Sequence, residues 1–584
     1  MNPTNEVVPT RVVSLDGEWR LAPDAKNVGR AEGWPLKPSP DAKPAKVPWI
    51  IQDAFPGYHG VAWYWRSFTP PANPHAQGRY LLRFWAVDYK ADVWLNGASL
   101  GGHEGGETPF VLDATAAIRP GQANLLAVRV LNPTHERIDG IVLNETPHRN
   151  KVIPYGSGSA WDQGGIIDSV ELLVAPPVRI EDLFVRPDWK TGVIRIQLTI
   201  RNALANAARG HIELAVAPAA SGETVVAARI ERELPAGESV IETQLRVEGH
   251  RLWELNDPFL YRVTARVRAD GSDSLDEHSV RCGFRDFRFQ DGYFRLNGRR
   301  IYLRCSHTGN CCPVGLEMPV DPDWLRRDLI NAKMMRFNAI RFISGIAKRY
   351  QLDLCDEIGL MVYEEAYAGW CLADSPKMAE RYDESVLGMV RRDRNHPSVA
   401  IWGLLNETPD GPVFRHALGL LPTLRTLDDT RMVMLNSGRW DRVSNEAVTG
   451  IEAWRNVERV DPCVSRNATD HVIQALGITW QPGQLSFHPG RDGEYSVVRW
   501  TAPAAGKAEF AAKFHSIAER ATTDVHVLHN GKVLFDGFIN VRGGGPEAKF
   551  ASALAVQAGD TLDCAIGWGN GNYGADTTAL AVTI

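Results

Sequence analysis

The chain has 584 residues, a formal net charge of −6, and 44% hydrophobic against 23% charged residues, an ordinary globular balance. That balance gives no reason to expect a nucleic-acid or membrane-surface partner, and no apolar stretch approaches the ~20 residues needed to cross a bilayer. The length implies several domains at roughly 150 residues each.

The N-terminus, MNPTNEVVPTRVVSLDGEW, lacks an apolar export core. A cytoplasmic chain is therefore expected, or a periplasmic or secreted one if a leader has been removed. Eight cysteines in this length are not a disulfide framework. Cys305, Cys311 and Cys312 cluster, but no C-x-x-C pair or histidine set resembles a zinc site, so free thiols, no metal and no cofactor are expected. Eighteen tryptophans suit sugar rings and the filling of sandwich cores equally well.

Over residues 12–175 the text is short strands and turns: YLLRFWAVD, ADVWLNGASLG and NLLAVRVLN alternate apolar and polar residues, with Asn96-Gly97 as a hairpin signal. An all-β sandwich or jelly roll follows from this pattern. A second β block, with VRIEDLFVRPD, VIRIQLTIRN, HIELAVAP, ARIERELPAG and LYRVTARVRAD, has the strand spacing of an immunoglobulin-like sandwich.

Near Asp286 the character changes. RRIYLRCSH reads as a strand, and DPDWLRRDLINAKMMRF as a helix capped by Asp321 with Pro322 at its first position. NAIRFIS, LMVYEEA, VAIWGLLNE and RMVMLNSG read as strands separated by helices through KRYQLDLCDEIG, SVLGMVRRDRN and VFRHALGLLPTLRTLD. Such alternation predicts a parallel sheet with crossover helices, of the (β/α)8 barrel kind.

After Trp454 the chain reads as β again. ADVWLNGASLGG, then FVLDATAAIRPGQANLLAVRV, resembles TDVHVLHNGKVLFDG, then FASALAVQAGDTLDCAIGW, so two sandwiches of related design are expected, one at each end. Four domains follow: a jelly roll over 1–178, an immunoglobulin-like sandwich over 179–285, a partial TIM barrel of about five β/α units over 286–455, and a β-sandwich over 456–584. The last is a candidate carbohydrate-binding module, with Trp480, His488, Trp500, Trp568 and Tyr573 available for stacking or for the core. The α/β part, 168 residues over 286–453, is short of the roughly 250 of a full barrel. The missing strands are expected beyond Ile584, the sandwich being inserted in or appended to the barrel.

Active sites of such barrels gather at the C-terminal ends of the strands. The five strands place there Arg304, Ser306 and His307; Arg341 and Ser344; Glu364 and Glu365; Asn406 and Glu407; Asn436 and Ser437. A carboxylic acid in a partly apolar setting can hold its proton near neutral pH and act as general acid, and the preceding asparagine can hydrogen-bond a hydroxyl beside the reacting carbon. Glycoside cleavage needs such an acid and a second carboxylate, about 5–5.5 Å away for retention or roughly 6.5–9.5 Å for inversion.

RDRNHPSVAIWGLLNE resembles the signature of glycoside hydrolase family 2, which contains β-galactosidases, β-glucuronidases and β-mannosidases. SLDGEWR, GGIIDSVELLVAPPVRIEDLFVRPD, GFRDFRFQDGYFRLNGRRIYLR, FNAIRF, LCDEIGLMVYEEA and DDTRMVMLNS fall in family order. The resemblance covers roughly residues 12–440. It implies a sugar-binding jelly roll, an immunoglobulin-like domain and a catalytic barrel that cleaves terminal β-linked sugars with retention, using two glutamates. Glu407 matches the acid/base and Asn406 the asparagine beside it; Arg341, His307 and Glu365 match residues of the second, first and third strands. With Asn436 of the fifth strand, these are the expected substrate contacts.

Three departures stand out. Leu405 replaces the family's usual glycine before Asn-Glu, and Ser344-Gly345 replaces its usual Ser-His. The family's nucleophile, a glutamate ending the seventh strand, has no counterpart here, since Glu446 and Glu452 read as loop or helix-surface carboxylates. The expected partner is an oligosaccharide, polysaccharide or glycoside, in a chain compatible with a homo-oligomer. The rival reading is a catalytically inactive sugar-binding protein, and a third treats the β domains as scaffolding for a larger assembly.

Overall fold

The computed structural model describes residues 8–147, 162–308, 323–343, 345–366, 372–438, 448, 450–455 and 461–584. Cys311, Cys312, Asp321, Pro322, Ser344 and Glu446 lie outside them. The chain divides into two compact units, one of Met1–Asn406 with Pro412–Ser437, the other of Glu407–Gly411 with Gly438–Ile584.

The first unit begins with a sandwich. Strands β1 (Gly60–Phe68), β2 (Lys90–Leu95), β3 (Ala98–Glu104) and β4 (Asn124–Asn132) join Gly17–Pro23 and Lys43–Val47 in a six-stranded sheet whose last four positions run β1-β4-β2-β3. Alternation along the strands sends Tyr64, Val93, Leu126 and Val128 inward to meet Leu82, Phe84 and Leu172 of the four-stranded sheet. The outer face of the six-stranded sheet is covered by the chain itself. Trp34 packs on Trp63 and Trp65 at ring separations of 6.1 and 5.8 Å, and Asp24 accepts the indole N–H of Trp63 at 3.0 Å.

Two sheets of three and five strands form the second sandwich around Leu198, Ile212, Leu214 and Val263. Two of its strands, Gly237–Arg246 and Ser274–Cys282, were not read from the sequence. Val8–Pro9 pairs in parallel with Ser274 and Leu275 of the five-stranded sheet, so the first described strand belongs to this sandwich.

The expected strand RRIYLRCSH is two strands. Arg299–Ile301 closes a small antiparallel sheet, whereas β5 (Cys305–Thr308) starts a parallel one. Its neighbours are β6 (Ala339–Phe342), β7 (Met361–Glu365), β8 (Val399–Leu405) and β9 (Met432–Asn436), all parallel and in chain order. Helices α1 (Asp323–Met334), α2 (Arg349–Ile358), α3 (Met378–Asp393) and α4 (Pro412–Leu427) connect them. Five strand–helix units were expected, and five strands are present. All seven residues of β8 are buried, as a parallel strand covered on both faces requires. α2 stops at Gly359, whose φ of +68° suits a residue without a β-carbon.

Ion pairs, one fully buried and two partly so, tie the first sandwich to the parallel sheet. Glu107 accepts Lys348 Nζ at 2.8 Å, both side chains under 10% exposed. Arg381 reaches Glu104 at 2.5 Å, and Arg349 reaches Asp168 at 2.8 Å. No helix of the described residues is long and apolar enough to cross a membrane.

The second unit is a sandwich of a six-stranded and a four-stranded sheet around Phe487, Phe510, Phe514, Val525, Val527 and Ile539. The four-stranded sheet holds β10 (Ser496–Thr501), β11 (Thr522–His529), β12 (Lys532–Asn540) and β13 (Thr561–Ile566), in the order β10-β13-β11-β12. That order repeats β1-β4-β2-β3, and the repeat reaches individual atoms. Asn96 and Asn530 both have positive φ and precede a positive-φ glycine in the hairpin turn. The amide oxygen of Asn96 accepts Leu125 N–H at 3.0 Å, and that of Asn530 accepts Thr561 N–H at 2.8 Å. The two sandwiches expected to share a design do share it in these four strands.

Candidate active site

In parallel strands, side chains at matched register share a face. The pairing aligns His307 with Arg341, Arg341 with Tyr363 and Tyr363 with Ile401; the next row aligns Glu365 with Gly403, and beyond it Leu405 with Asn436. His307, Arg341, Glu365 and Asn436 therefore share one face, opposite the helix-packed Ile340, Phe342, Val362 and Trp402, and Asn406 follows where the fourth strand ends.

Three of them form a single network. Arg341 donates to Glu365 Oε1 from Nη2 at 2.5 Å and from Nε at 3.2 Å. Its Nη2 also donates to Asn406 Oδ1 at 2.8 Å. Tyr363 O–H reaches the same Glu365 oxygen at 2.9 Å, and Ser437 O–H reaches Asn406 Oδ1 at 2.9 Å. A guanidinium only donates, so the oxygen end of the Asn406 amide must face Arg341, and its N–H end points away. Burial pushes the Tyr363 phenol up, and the Glu365 charge pushes it further, keeping it a neutral donor. Glu365 is 1% exposed, so it holds Arg341 from beneath.

Gly403 makes this packing possible, because a β-carbon there would strike the side chains of Glu365 and Tyr363. Tyr363 was missed in the sequence, although the two-residue strand period puts it on the face of Glu365. The same period turns Glu364 away. It accepts Ala347 N–H at 2.9 Å and lies 3.6 Å from Arg392. Burial, then the charge of Asp393, holds its carboxyl well above the usual range.

His307 is exposed in the row of Arg341, and no side-chain hydrogen bond to it forms among the described residues. Asn436 is half-buried at the end of β9. Glu407 follows Asn406 directly, is exposed, and has φ +48°. A non-glycine residue in that region costs roughly 1–2 kcal/mol.

Two groups among the described residues bring three potential metal-ligand atoms together, His211, Glu231 and Asp270, and Asp353, Asp356 and His396. In the second, Asp356 already takes His396 Nδ1 at 2.6 Å and Ser398 N–H at 3.0 Å, while Asp353 pairs with Arg281. The five described cysteines are free, and all but Cys305 are buried.

Comparison with known proteins decides the family. Three models match in succession: "Glycosyl hydrolases family 2, sugar binding domain" over residues 45–176, "Glycosyl hydrolases family 2" over 178–285, and "Glycosyl hydrolases family 2, TIM barrel domain" over 287–462. The chain belongs to glycoside hydrolase family 2. A β-galactosidase of Aeromonas hydrophila is 26% identical over 520 residues, covering 81% of this chain and 48% of that protein. The chain thus spans about half the length of this curated relative. Among solved structures, the β-glucuronidase of Ruminococcus gnavus in complex with D-glucaro-d-lactam aligns with a TM-score of 0.59 and 23% identity, over 73% of this chain and 72% of that one. A Bacteroides fragilis protein described as a candidate β-galactosidase gives 0.60 and 22%, over 73% and 63%. These likenesses establish the family 2 architecture of jelly roll, immunoglobulin-like sandwich and TIM-barrel domain.

Proposed function

We propose that this family 2 protein is a glycoside hydrolase that removes terminal β-linked sugars of the β-galactoside or β-glucuronide class with retention of configuration, and that it works in the cytoplasm. Glu407 is the acid/base. Asn406, Arg341, His307, Glu365 and Asn436 form the substrate-side constellation. The observation that carries this reading is the Asn406 amide, pinned at its oxygen by Arg341 and Ser437 immediately before Glu407.

In this reading the Asn406 N–H end is aimed at the hydroxyl beside the anomeric carbon, where a hydrogen bond strengthens as positive charge develops on the ring. Glu407 gives its proton to the departing glycosidic oxygen while a carboxylate attacks the anomeric carbon. It then takes a proton from the water that cleaves the glycosyl–enzyme bond. The attacking carboxylate is assigned to none of the described residues. The rival reading, an inactive sugar-binding protein, is disfavoured by relatives named as glycosidases.

Hydrolysis of 4-nitrophenyl β-galactoside and β-glucuronide by the protein and by Glu407→Gln tests the proposal. The variant should lose about 10²–10⁴-fold in turnover, with azide restoring part of it as the β-glycosyl azide. Equal turnover by both proteins removes Glu407 from the mechanism. Sugar binding without hydrolysis by either favours the rival.

A further inference from the structure

The terminal sandwich carries an open face with no counterpart in the first. Register places Val497, Ala565 and His526 where the first sandwich has Trp63, Arg129 and Asp92. There, the face is sealed by the segment carrying Asp24 and Trp34. In the terminal sandwich it exposes Tyr495 by 47%, Val497 by 47% and Phe538 by 51%. Trp480, in contrast, is core, giving its indole N–H to Ser486 at 2.9 Å.

The exposed rings are held against glycine backbone. A β-carbon on Gly567 would lie 2.6 Å from the Tyr495 ring, and one on Gly569 would lie 2.5 Å from that of Phe538. Trp568 stands between these glycines in the chain and is half-buried. Between the rings runs a hydrogen-bonded chain. Tyr495 O–H donates to Asp524 at 2.6 Å, and His526 bridges Asp524 at 2.7 Å and Asp536 at 2.5 Å. Ala565, paired with both Val497 and His526, supplies a small floor.

We propose that this face of the terminal sandwich binds a neutral oligosaccharide chain. A pyranose offers what the face takes: C–H surfaces for rigid aromatic rings and hydroxyls for the exposed Asp536 carboxylate, which His526 holds in place. Rings fixed beforehand lose little freedom on binding. Two carboxylates against one imidazole select against uronate or sulfated chains. The inference goes beyond the catalytic proposal and does not need Glu407 to be an acid.

Native gel electrophoresis of the full chain in gels containing barley β-glucan, galactan, galactomannan or polygalacturonate tests it. Retardation by at least one neutral polysaccharide and none by polygalacturonate is expected. Phe538→Ala should weaken that retardation about tenfold or more, equivalent to roughly 1.4 kcal/mol. Ala565→Arg, which restores the residue found in the first sandwich, should abolish it, while circular dichroism of both variants matches the parent. Failure of every neutral polysaccharide to retard the parent overturns the proposal and leaves the face to a protein contact. So does loss of retardation in Arg341→Ala with none in Phe538→Ala, which would locate binding at the parallel sheet instead.

Discussion

One nitrogen of Arg341 donates to both Glu365 and Asn406, at 2.5 and 2.8 Å, so a single guanidinium ties the third strand of the parallel sheet to the end of the fourth. Lysine is a point charge on a flexible stem and cannot keep both bonds in one plane. Arg341→Lys should lower unfolding stability by about 1 kcal/mol and arylglycoside turnover by tenfold or more. Arg341→Ala, which removes the cation from the nearly inaccessible Glu365 carboxylate, should cost about 3 kcal/mol. Urea titration beside initial-rate assays separates the two quantities; equal stability of all three proteins removes Arg341 as the anchor.

Asn406→Asp keeps an oxygen for Arg341 and Ser437 while deleting the N–H donors. Stability should hold within about 1 kcal/mol, as for a hydrogen-bond partner left in place. The kcat/KM on aryl β-glycosides should drop tenfold to hundredfold, about 1.4–2.7 kcal/mol of barrier. A substrate lacking the 2-hydroxyl should narrow the gap between the two proteins. An unchanged gap would mean that the amide does not face that hydroxyl.

Gly403 tests the packing beneath the site. A methyl group at this position meets Glu365 and Tyr363 together, and overpacking of this kind costs about 1–3 kcal/mol. Gly403→Ala should therefore unfold at lower urea and lose activity with it. Tyr363→Phe, which deletes one donor without adding bulk, should be far milder in both assays.

His103 gives the first sandwich a pH response. Burial, partly offset by the charge of Glu104, pulls its imidazole down to about 4. The folded protein therefore resists a proton that the unfolded chain accepts near pH 6.5. The associated stability is present above that value and is lost as pH falls towards 4, by about 3 kcal/mol in all. Denaturant unfolding at pH 7 and at pH 4 should show this difference for the parent, and His103→Gln should shrink it.

Much of the fold was legible because its strands are apolar runs punctuated by turn residues. β8 reads directly as a buried strand, and Asn96-Gly97 and Asn530-Gly531 both became the hairpins they announce. What the sequence concealed depends on tertiary pairing. Two residues, Val8–Pro9, have no period of their own, and their place in the second sandwich is set by Ser274 and Leu275. The five strands between Ile451 and His488 are only three to five residues long, too short for alternation to declare itself. At the candidate site, strand ends alone point to Arg341, Glu365 and Asn406, which the structure joins in one hydrogen-bond network. Glu364 was not separable from Glu365 until the strand face was known.

The ion pairs Glu107–Lys348, Glu104–Arg381 and Asp168–Arg349 have a practical consequence for dissection of the molecule. Each carboxylate comes from the jelly roll and each cation from the parallel-sheet domain. An excised parallel-sheet domain would leave Lys348, Arg381 and Arg349 without these carboxylates, and a jelly roll made alone would leave Glu107, Glu104 and Asp168 without these cations, the buried Glu107–Lys348 pair most consequentially. Truncations that separate the two will report the collapse of a shared electrostatic seam. Point substitutions, not domain deletions, are the instrument this architecture permits.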